Sequence, residues 1–271
     1  MNRKWLLTFV VFLIGFILNV PLLNTLLTSF KTDAVISSFP PKMVFPPTLE
    51  HFDNVLFASG YNFPQYFVNS ILLATLTSLF VVFATLPAAY AMIRLNFGSK
   101  KLLPFTTSLR LFPPIIFAVP YYLMFQYMGL LDTVTALVLI NTFLNLPLGL
   151  LLMIGFLQDI PIEIEEAARI DGCNVYHVLF KIVLPLMGPG IAAVAILTFI
   201  FSWNDYLFAV IISLNEATPV TLGSTMFITS WGIKWGDISA ATVLSVLPPL
   251  LFTFLAQRYL VSGLSMGAVK G

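Results

Sequence analysis

Six long stretches of apolar sequence constrain the fold of this chain more than any other feature. They are nearly free of charged residues and cover residues 5–30, 67–93, 102–131, 133–158, 182–212 and 238–260. A helix of about 20 residues crosses a hydrocarbon layer roughly 30 Å thick, so each stretch is long enough to span a membrane. The pattern predicts an all-α polytopic membrane bundle of six transmembrane helices, built as one transmembrane domain over residues 1–271.

The composition excludes the common classes of soluble protein. Hydrophobic residues make up 59% of the chain and charged residues only 9%, whereas about 25% of the residues in a soluble domain are charged. So few charges cannot cover the surface of a soluble globule of 271 residues, and a net charge of +1 offers no surface for a polyanion. A soluble enzyme, a disordered chain and a basic nucleic-acid-binding protein are therefore excluded.

The first apolar stretch is interpreted as an uncleaved membrane helix. It has 26 residues, whereas the hydrophobic region of a signal peptide has about 7–15 and precedes a small-residue cleavage site. The distribution of basic residues then predicts that both termini are cytoplasmic. Nine fall in the inner segments and three in the outer loops; the inner ones are Arg3, Lys4, Arg94, Lys100, Lys101, Arg169, Lys181, Arg258 and Lys270, and the outer ones are Lys31, Lys42 and Lys234.

Residues that are unusual inside a membrane leave alternatives open. Prolines such as Pro113 and Pro114 predict kinks that serve either helix packing or bending at a gate. A charge at the membrane centre costs about 2.5–3.5 kcal/mol on insertion scales, so Asp205 must face protein or water. It serves either the substrate or gating, or a structural hydrogen bond with Asn204 or a neighbouring helix. Arg110 is expected to extend to the cytoplasmic interface.

The inner segment of residues 159–190 has the sequence of a helical hairpin. Pro161 suits a first helical turn, where its missing amide hydrogen costs nothing. Three glutamates follow, where the positive end of the helix dipole favours acidic residues. Asp171 and Gly172 predict the end of this first helix, because glycine readily adopts the left-handed cap conformation.

Asn174 is a candidate N-cap for the second helix of the hairpin. Leu184 and Pro185 are expected to close that helix. Its predicted apolar face is formed by Tyr176, Leu179, Phe180 and Val183.

The hairpin resembles the "EAA" loop of the permease subunits of binding-protein-dependent ABC importers. In that family the loop forms a coupling helix that sits in a cleft of the cytoplasmic ATPase. The resemblance therefore implies that the matching residues couple this chain to an ATPase. They are Glu165, Glu166, Ala167, Ala168, Asp171, Gly172, Leu184 and Pro185.

Short motifs extend the resemblance along nearly the whole chain, in the order of the family. They are Ser29-Phe30-Lys31, FPPTLE at 45–50, FVNS at 67–70, AAYA at 88–91 with Arg94, GLLDT at 129–133 and Trp203-Asn204-Asp205-Tyr206. The last motif is the candidate substrate pathway. The ending GLSMGAVKG at 263–271 is similar to the tail of the carbohydrate-uptake branch, the permeases like the maltose-type second subunit. Cys173 departs from that branch, which usually has a small residue such as Ala there.

The resemblance implies a permease in the inner membrane of a prokaryotic cell that forms half of the pathway for a carbohydrate or related polyol. The implied partners are a second permease subunit, two cytoplasmic ATPase subunits and an extracytoplasmic solute-binding protein. The chain contains no G-x-x-x-x-G-K-[ST] motif to hold ATP phosphates. We therefore expect no enzymatic activity, no cofactor and no metal on this chain, and ATP on the partner ATPase.

Two other classes of function are compared with this one. An ion-coupled secondary transporter usually shows internal repeats and paired intramembrane carboxylates, whereas no repeat is evident here and Asp205 is nearly alone. A membrane-embedded enzyme needs a cluster of polar residues near one face of the membrane, and the sequence shows none. The secondary transporter therefore stands as the alternative.

Overall fold

The computed structural model describes residues 3–58, 62–230 and 232–267, with the backbone alone for 255–267, and it is built almost entirely of helices. Lys270 and the end of the glycine-rich tail, 268–271, lie outside the described residues. The helices are α1 (Arg3–Thr28), α2 (Asp33–Ile36), α3 (Glu50–Phe57), α4 (Phe63–Arg94), α5 (Leu102–Leu109), α6 (Ala118–Met128), α7 (Val134–Gln158), α8 (Ile162–Ile170), α9 (Val175–His177), α10 (Leu184–Leu186), α11 (Gly188–Trp203), α12 (Leu207–Ile212), α13 (Val220–Gly223) and α14 (Trp235–Gly267).

Short irregular elements complete the described chain. The 3-10 turns are Pro114–Phe117 and Ser224–Phe227, and Val178–Val183 is a π-helical turn between α9 and α10. Two strands, β1 (Ile228–Thr229) and β2 (Gly232–Ile233), pair antiparallel. The architecture confirms the predicted all-α class.

Four of the described helices are long and apolar enough to cross a membrane unaided. They are α1 from Lys4 to Thr28, α4, α7 and the Trp235–Phe254 part of α14. Two bent helix pairs bring the number of candidate spans to six, the number predicted from the sequence. The first pair corresponds to the third apolar stretch. The second pair begins at Val175, before the fifth stretch, and ends at Trp203, and the last residues of that stretch form α12.

The third and fifth stretches are not straight helices. In the third, Leu102–Leu109 and Pro114–Met128 meet at 96°, because proline disfavours the helical conformation in the residue before it and Pro113 is extended (ψ of 130°). In the fifth, Val175–Leu186 and Gly188–Trp203 meet at 73°. Pro189 lies in the first turn of α11 and has no amide hydrogen to continue a helix from α10.

The chain divides into two compact units. The first comprises Met1–Phe67 and Leu222–Leu247, and the second comprises Val68–Thr221 and Pro248–Gly271. In the first unit, His51 is buried on α3, and its Nδ1 lies 2.7 Å from Oδ1 of Asp237 on α14. This contact fixes the segment before α4 to the beginning of the last long helix.

Two apolar clusters form the core of the second unit. One joins α4, α7 and α8 to the π-helical turn, through buried residues such as Tyr90, Met153, Ala168 and Val178. The other joins α4, α6, α7 and α12 and includes Phe125. The first cluster lies directly under the predicted hairpin, so it sets the position of α8.

Candidate coupling loop and membrane cavity

The first helix of the predicted hairpin is present as α8 and ends where the sequence indicates. Pro161 precedes its first residue, and Asp171 follows its last. Gly172 has a φ of 89°, in the left-handed region. Its amide donates to the carbonyl of Arg169 at 3.0 Å, and the amide of Cys173 donates to the carbonyl of Ala168 at 3.0 Å. The cap therefore satisfies two carbonyls at the end of α8.

The second helix begins as predicted but continues differently. Asn174 is its N-cap, and its side-chain oxygen accepts a hydrogen bond from the amide of His177 at 2.8 Å. The predicted apolar face is divided between two environments, because Tyr176 is 74% and Phe180 53% exposed while Leu179 is buried. The wider π-helical turn changes which residues face inward.

Leu184 and Pro185 lie in the last turn of the second helix, as the sequence predicts, and the helix ends one residue later. The helical segment runs from Val175 to Leu186, and the bend falls at Met187, directly before Gly188. Leu184 is half-buried and Pro185 is exposed. The two matched residues of the motif therefore lie within the last turn before the bend.

The motif residues on α8 divide between two faces. Glu165 is only 1% exposed, and Ala168, three residues later, is buried beside it. Glu166 and Ala167 are exposed, as are Ile162 and Glu163 at the beginning of the helix. The exposed side combines acidic Glu163 and Glu166 and the small Ala167 with apolar side chains, whereas Glu165 points into the protein; the apolar ones are Ile162, Ile164 and Ile170.

Glu165 is held by an arginine at the end of α4. Nε of Arg94 donates to Oε1 of Glu165 at 2.7 Å. Nη2 of the same arginine donates to the carbonyl oxygens of Leu157, at 3.0 Å, and Ile160, at 2.7 Å. We call this set, Arg94 with Glu165 and the carbonyls of Leu157 and Ile160, the Arg94 clamp. One guanidinium thus joins the end of α4, the end of α7 and the inner face of α8.

Two further side chains close the network around Glu165. The hydroxyl of Tyr90 donates to Oε2 of Glu165 at 3.0 Å, and Nη2 of Arg169 donates to the oxygen of Tyr90 at 3.3 Å. The sequence contained one signal of this arrangement. Glu165 and Ala168 are three residues apart and therefore lie on the same side of a helix, although the pattern does not say which side is buried.

A cavity of about 530 Å³ lies between the bend that follows α5, the break between α11 and α12, and α7. Its lining includes the residues at the bend after α5, the residues between α11 and α12, and one face of α7. The polar residues of the lining are Arg110, Asn141, Asn145, Asn204, Asp205 and Tyr206, and its aromatic residues include Phe112, Phe117, Phe143 and Phe201.

Asp205 both lines the cavity and makes structural hydrogen bonds. Its Oδ2 accepts from Nδ2 of Asn141 on α7 at 2.8 Å, and its Oδ1 accepts from the amide of Phe208 at 3.3 Å at the beginning of α12. Asn204 instead donates to the carbonyl of Ile200 in its own helix, at 2.8 Å. The sequence left two structural partners open for Asp205, namely Asn204 and a neighbouring helix. The structure shows the neighbouring helix, α7, as the partner.

Of the four candidate pathway residues, Trp203 differs in position from the other three. Asn204, Asp205 and Tyr206 line the cavity. Trp203 is buried away from it, and its ring stacks on Phe199 with centroids 5.7 Å apart. Arg110 lies at the bend that follows α5, and its side chain is exposed to the cavity.

Asp132 is a positioning residue that sequence reasoning missed. Its carboxylate accepts hydrogen bonds from the four consecutive amides of residues 214–217, at 2.9–3.1 Å. Burial alone would raise the pKa of Asp132, but these amides outweigh burial and lower the pKa below its usual value. The carboxylate therefore holds the loop that follows α12.

Two more motif residues hold the same loop from α4. Nδ2 of Asn69 donates to the carbonyls of Glu216, at 2.7 Å, and Thr218, at 3.0 Å. The hydroxyl of Ser70 accepts from the amide of Val220 at 2.8 Å. The FVNS and GLLDT motifs, which are far apart in sequence, thus converge on residues 213–220.

Comparison with known proteins places this architecture in a class. A family described as binding-protein-dependent transport system inner membrane component matches residues 81–266. The six candidate spans and this match define a permease of the ABC-importer type. The chain belongs to the binding-protein-dependent transport system inner membrane component family.

Individual relatives match along almost the full length of the chain. A probable ABC transporter permease of Sinorhizobium fredii, y4oR, is 35% identical over 269 residues, which are 99% of this chain and 96% of the relative. The trehalose/maltose transport system permease MalG of Thermococcus litoralis is 34% identical over 254 residues, 93% of this chain and 91% of that protein. Both lie well within the range of shared ancestry.

Solved structures show the same fold. A bacterial ABC transporter that imports the acidic polysaccharide alginate matches with a TM-score of 0.79 and 20% identity, covering 96% of this chain and 98% of that one. The alginate transporter in complex with a periplasmic protein that holds an alginate pentasaccharide matches with a TM-score of 0.66 and 16% identity, covering 94% of each chain.

Proposed function

We propose that this chain is one of two permease subunits of an ATP-driven importer and forms half of the pathway for a carbohydrate or related polyol. The observation that carries the proposal is the exposed face of α8, whose opposite face is held by the Arg94 clamp. Two cytoplasmic ATPase subunits and an extracytoplasmic solute-binding protein complete the complex, with ATP on the ATPase and no cofactor on this chain. The two compact units act as one transmembrane domain.

The carbohydrate assignment is supported by the relatives and by the cavity. The Thermococcus litoralis relative is a trehalose/maltose permease, and the structural neighbour imports alginate. The cavity combines amide and carboxylate groups, which can hydrogen-bond to hydroxyls, with aromatic rings, on which sugar rings stack. Its volume of about 530 Å³ is within the range of small-molecule sites.

Coupling to the ATPase is assigned to the exposed face of α8. Glu166 and Ala167 lie on that face, and Gly172 ends the helix in the left-handed conformation. Exposed isoleucines such as Ile164 and Ile170 offer apolar area that a partner surface can bury, and the exposed Glu166 can pair with a basic residue there. Ala168 and Glu165 anchor the opposite face, and Leu184 and Pro185 lead to the bend.

Replacing Glu166 with lysine tests the docking face. The reversed charge opposes any basic partner group and is also unfavourable near the helix N-terminus. In affinity purification of the tagged chain from native membranes, the recovered ATPase should fall by more than about tenfold, equivalent to about 1.4 kcal/mol. Asp159→Lys, a reversal of an exposed charge outside α8, is the control. Equal recovery with Glu166→Lys and with the intact chain would contradict the assignment.

The cavity is tested by Asp205→Asn, which removes the charge and keeps the shape of the side chain. Its one oxygen can still accept from the amide of Phe208, and its Nδ2 can donate to the oxygen of Asn141 when that side-chain amide is turned over. If Asp205 were only structural, uptake would stay near normal. Because we place it in the pathway, uptake of labelled maltose and trehalose should fall about tenfold, a change of about 1.4 kcal/mol. The amount of chain in the membrane, measured by immunoblot, should not change. Asp159→Asn, an exposed acid outside the cavity, should transport normally.

The termini of this inner-membrane protein are proposed to lie in the cytoplasm. The nine-to-three distribution of basic residues supports this orientation. Alkaline phosphatase fused after Lys42 or Lys234 should be active, because that enzyme works only outside the cytoplasm, whereas a fusion after Lys270 should be inactive. An inactive fusion at Lys42 would overturn the topology.

A further inference from the structure

We infer that the Arg94 clamp makes α8 move as one body with the inner ends of α4 and α7, so that Arg94 is the positioning residue that transmits motion of the coupling helix to the spans. The inference rests on the proposed coupling role of α8. It adds which residues carry the motion from the docking face into the membrane.

The geometry of the clamp is suited to a rigid connection. The planar guanidinium of Arg94 uses two of its nitrogens on three different acceptors, and its side chain is 8% exposed. Such a fork fixes direction as well as distance, which a lysine ammonium cannot do. Both acceptors are main-chain carbonyls. Leu157 lies in the last turn of α7, where the carbonyls have no partner four residues further on in the helix, and Ile160 lies in the link between α7 and α8.

Burial makes the connection costly to break. With Glu165 1% exposed, parting α8 from α4 would leave an unpaired charge on each side in a dry environment. The contacts to Tyr90 add a second hydrogen bond to the same carboxylate. Transmission between distant sites requires such a contiguous connection with discrete arrangements. The exposed face of α8 stays available for docking, because the clamp uses only the inner face.

The test measures whether α8 and α4 keep their distance during the ATP cycle. Nitroxide labels are placed on cysteines at Leu95, beside the clamp, and at Ile170, on the exposed end of α8, after Cys173→Ala; both label sites are exposed. The complex is purified through the tagged chain, and the label-to-label distance is measured by EPR without nucleotide and after trapping with ATP and vanadate. With the clamp intact, the distance should be the same in both states.

The decisive variant removes both charges, Arg94→Met with Glu165→Met, because a paired apolar replacement avoids the buried unpaired charge that a single change leaves. In this variant the distribution of label-to-label distances should broaden, and its mean should differ between the two states. Asp159→Asn with Lys181→Gln, which removes an exposed acid and an exposed base from the same loop, should behave like the intact chain. Where the double variant does not accumulate, Arg94→Lys is measured against the same criterion.

The outcomes separate the clamp from the coupling proposal. If no ATPase subunit is recovered with the intact chain, the proposed function itself is wrong. If the ATPase is recovered but the distance changes between states in the intact complex, the clamp is overturned. It is also overturned if the charge-free variant keeps a single distance in both states. A purely structural role predicts that this variant, once assembled, is indistinguishable from the intact complex.

Discussion

Replacing Gly172 with proline is expected to abolish uptake while the chain still accumulates in the membrane. Gly172 has a φ of 89°, whereas the proline ring fixes φ near −65°. Proline also lacks the amide hydrogen that Gly172 donates to the carbonyl of Arg169 at 3.0 Å. The end of α8 would therefore be rebuilt, and the docking face would lose its orientation. The measurement is uptake of labelled maltose and trehalose, beside an immunoblot of membrane fractions.

Two control variants isolate the backbone effect from side-chain size. No heavy atom lies within 4 Å of a Cβ built on Gly172, so a side chain has room there. Gly172→Asn should keep most of the uptake, because asparagine tolerates the left-handed region better than other residues that carry a Cβ. Gly155→Ala, in the last turn of α7 and equally open, should transport normally. Normal uptake by Gly172→Pro would remove the coupling role from this turn.

The features that the sequence predicted correctly are those set by local chemistry. Gly172 and Asn174 mark the end of one helix and the beginning of the next because each residue has a conformational preference that acts within one turn. Long apolar stretches likewise predict the membrane helices, because a helix needs about 20 apolar residues to cross the hydrocarbon layer. The pair Pro113 and Pro114 predicted a kink in the third stretch, but the sequence did not predict its angle of 96°.

The features that the sequence did not predict depend on residues far apart in the chain. Asn141 and Asp205 are 64 residues apart, and Arg94 and Glu165 are 71 apart. A single sequence contains no signal of which helix faces which, so the inward side of Glu165 could not be deduced. The π-helical turn at Val178–Val183 likewise depends on how the helices pack. Tyr176 and Phe180 are exposed, although the sequence pattern placed them on one apolar face with the buried Leu179.

Uptake through the complete complex is expected to require ATP and to persist without ion gradients. This chain has no motif for ATP phosphates, and we therefore expect hydrolysis on the partner ATPase that we propose to act through α8. A gradient-driven carrier needs a carboxylate that loads and releases a cation in the membrane. Asp205 is the acid at the cavity, and both of its oxygens already accept hydrogen bonds, from Asn141 and from the amide of Phe208. That arrangement favours a fixed polar contact over a cation-exchanging site.

Proteoliposomes separate the two energy sources. The complex is reconstituted with ATP trapped on the ATPase side, the binding protein is added on the other side, and ionophores collapse proton and sodium gradients. Uptake of labelled maltose and trehalose should continue, and it should stop when a non-hydrolysable ATP analogue replaces ATP. The chain purified alone should hydrolyse no ATP, which serves as the internal control. Uptake that disappears with the gradients, or proceeds without ATP, would favour the ion-coupled secondary transporter, because only that class draws its energy from the ions.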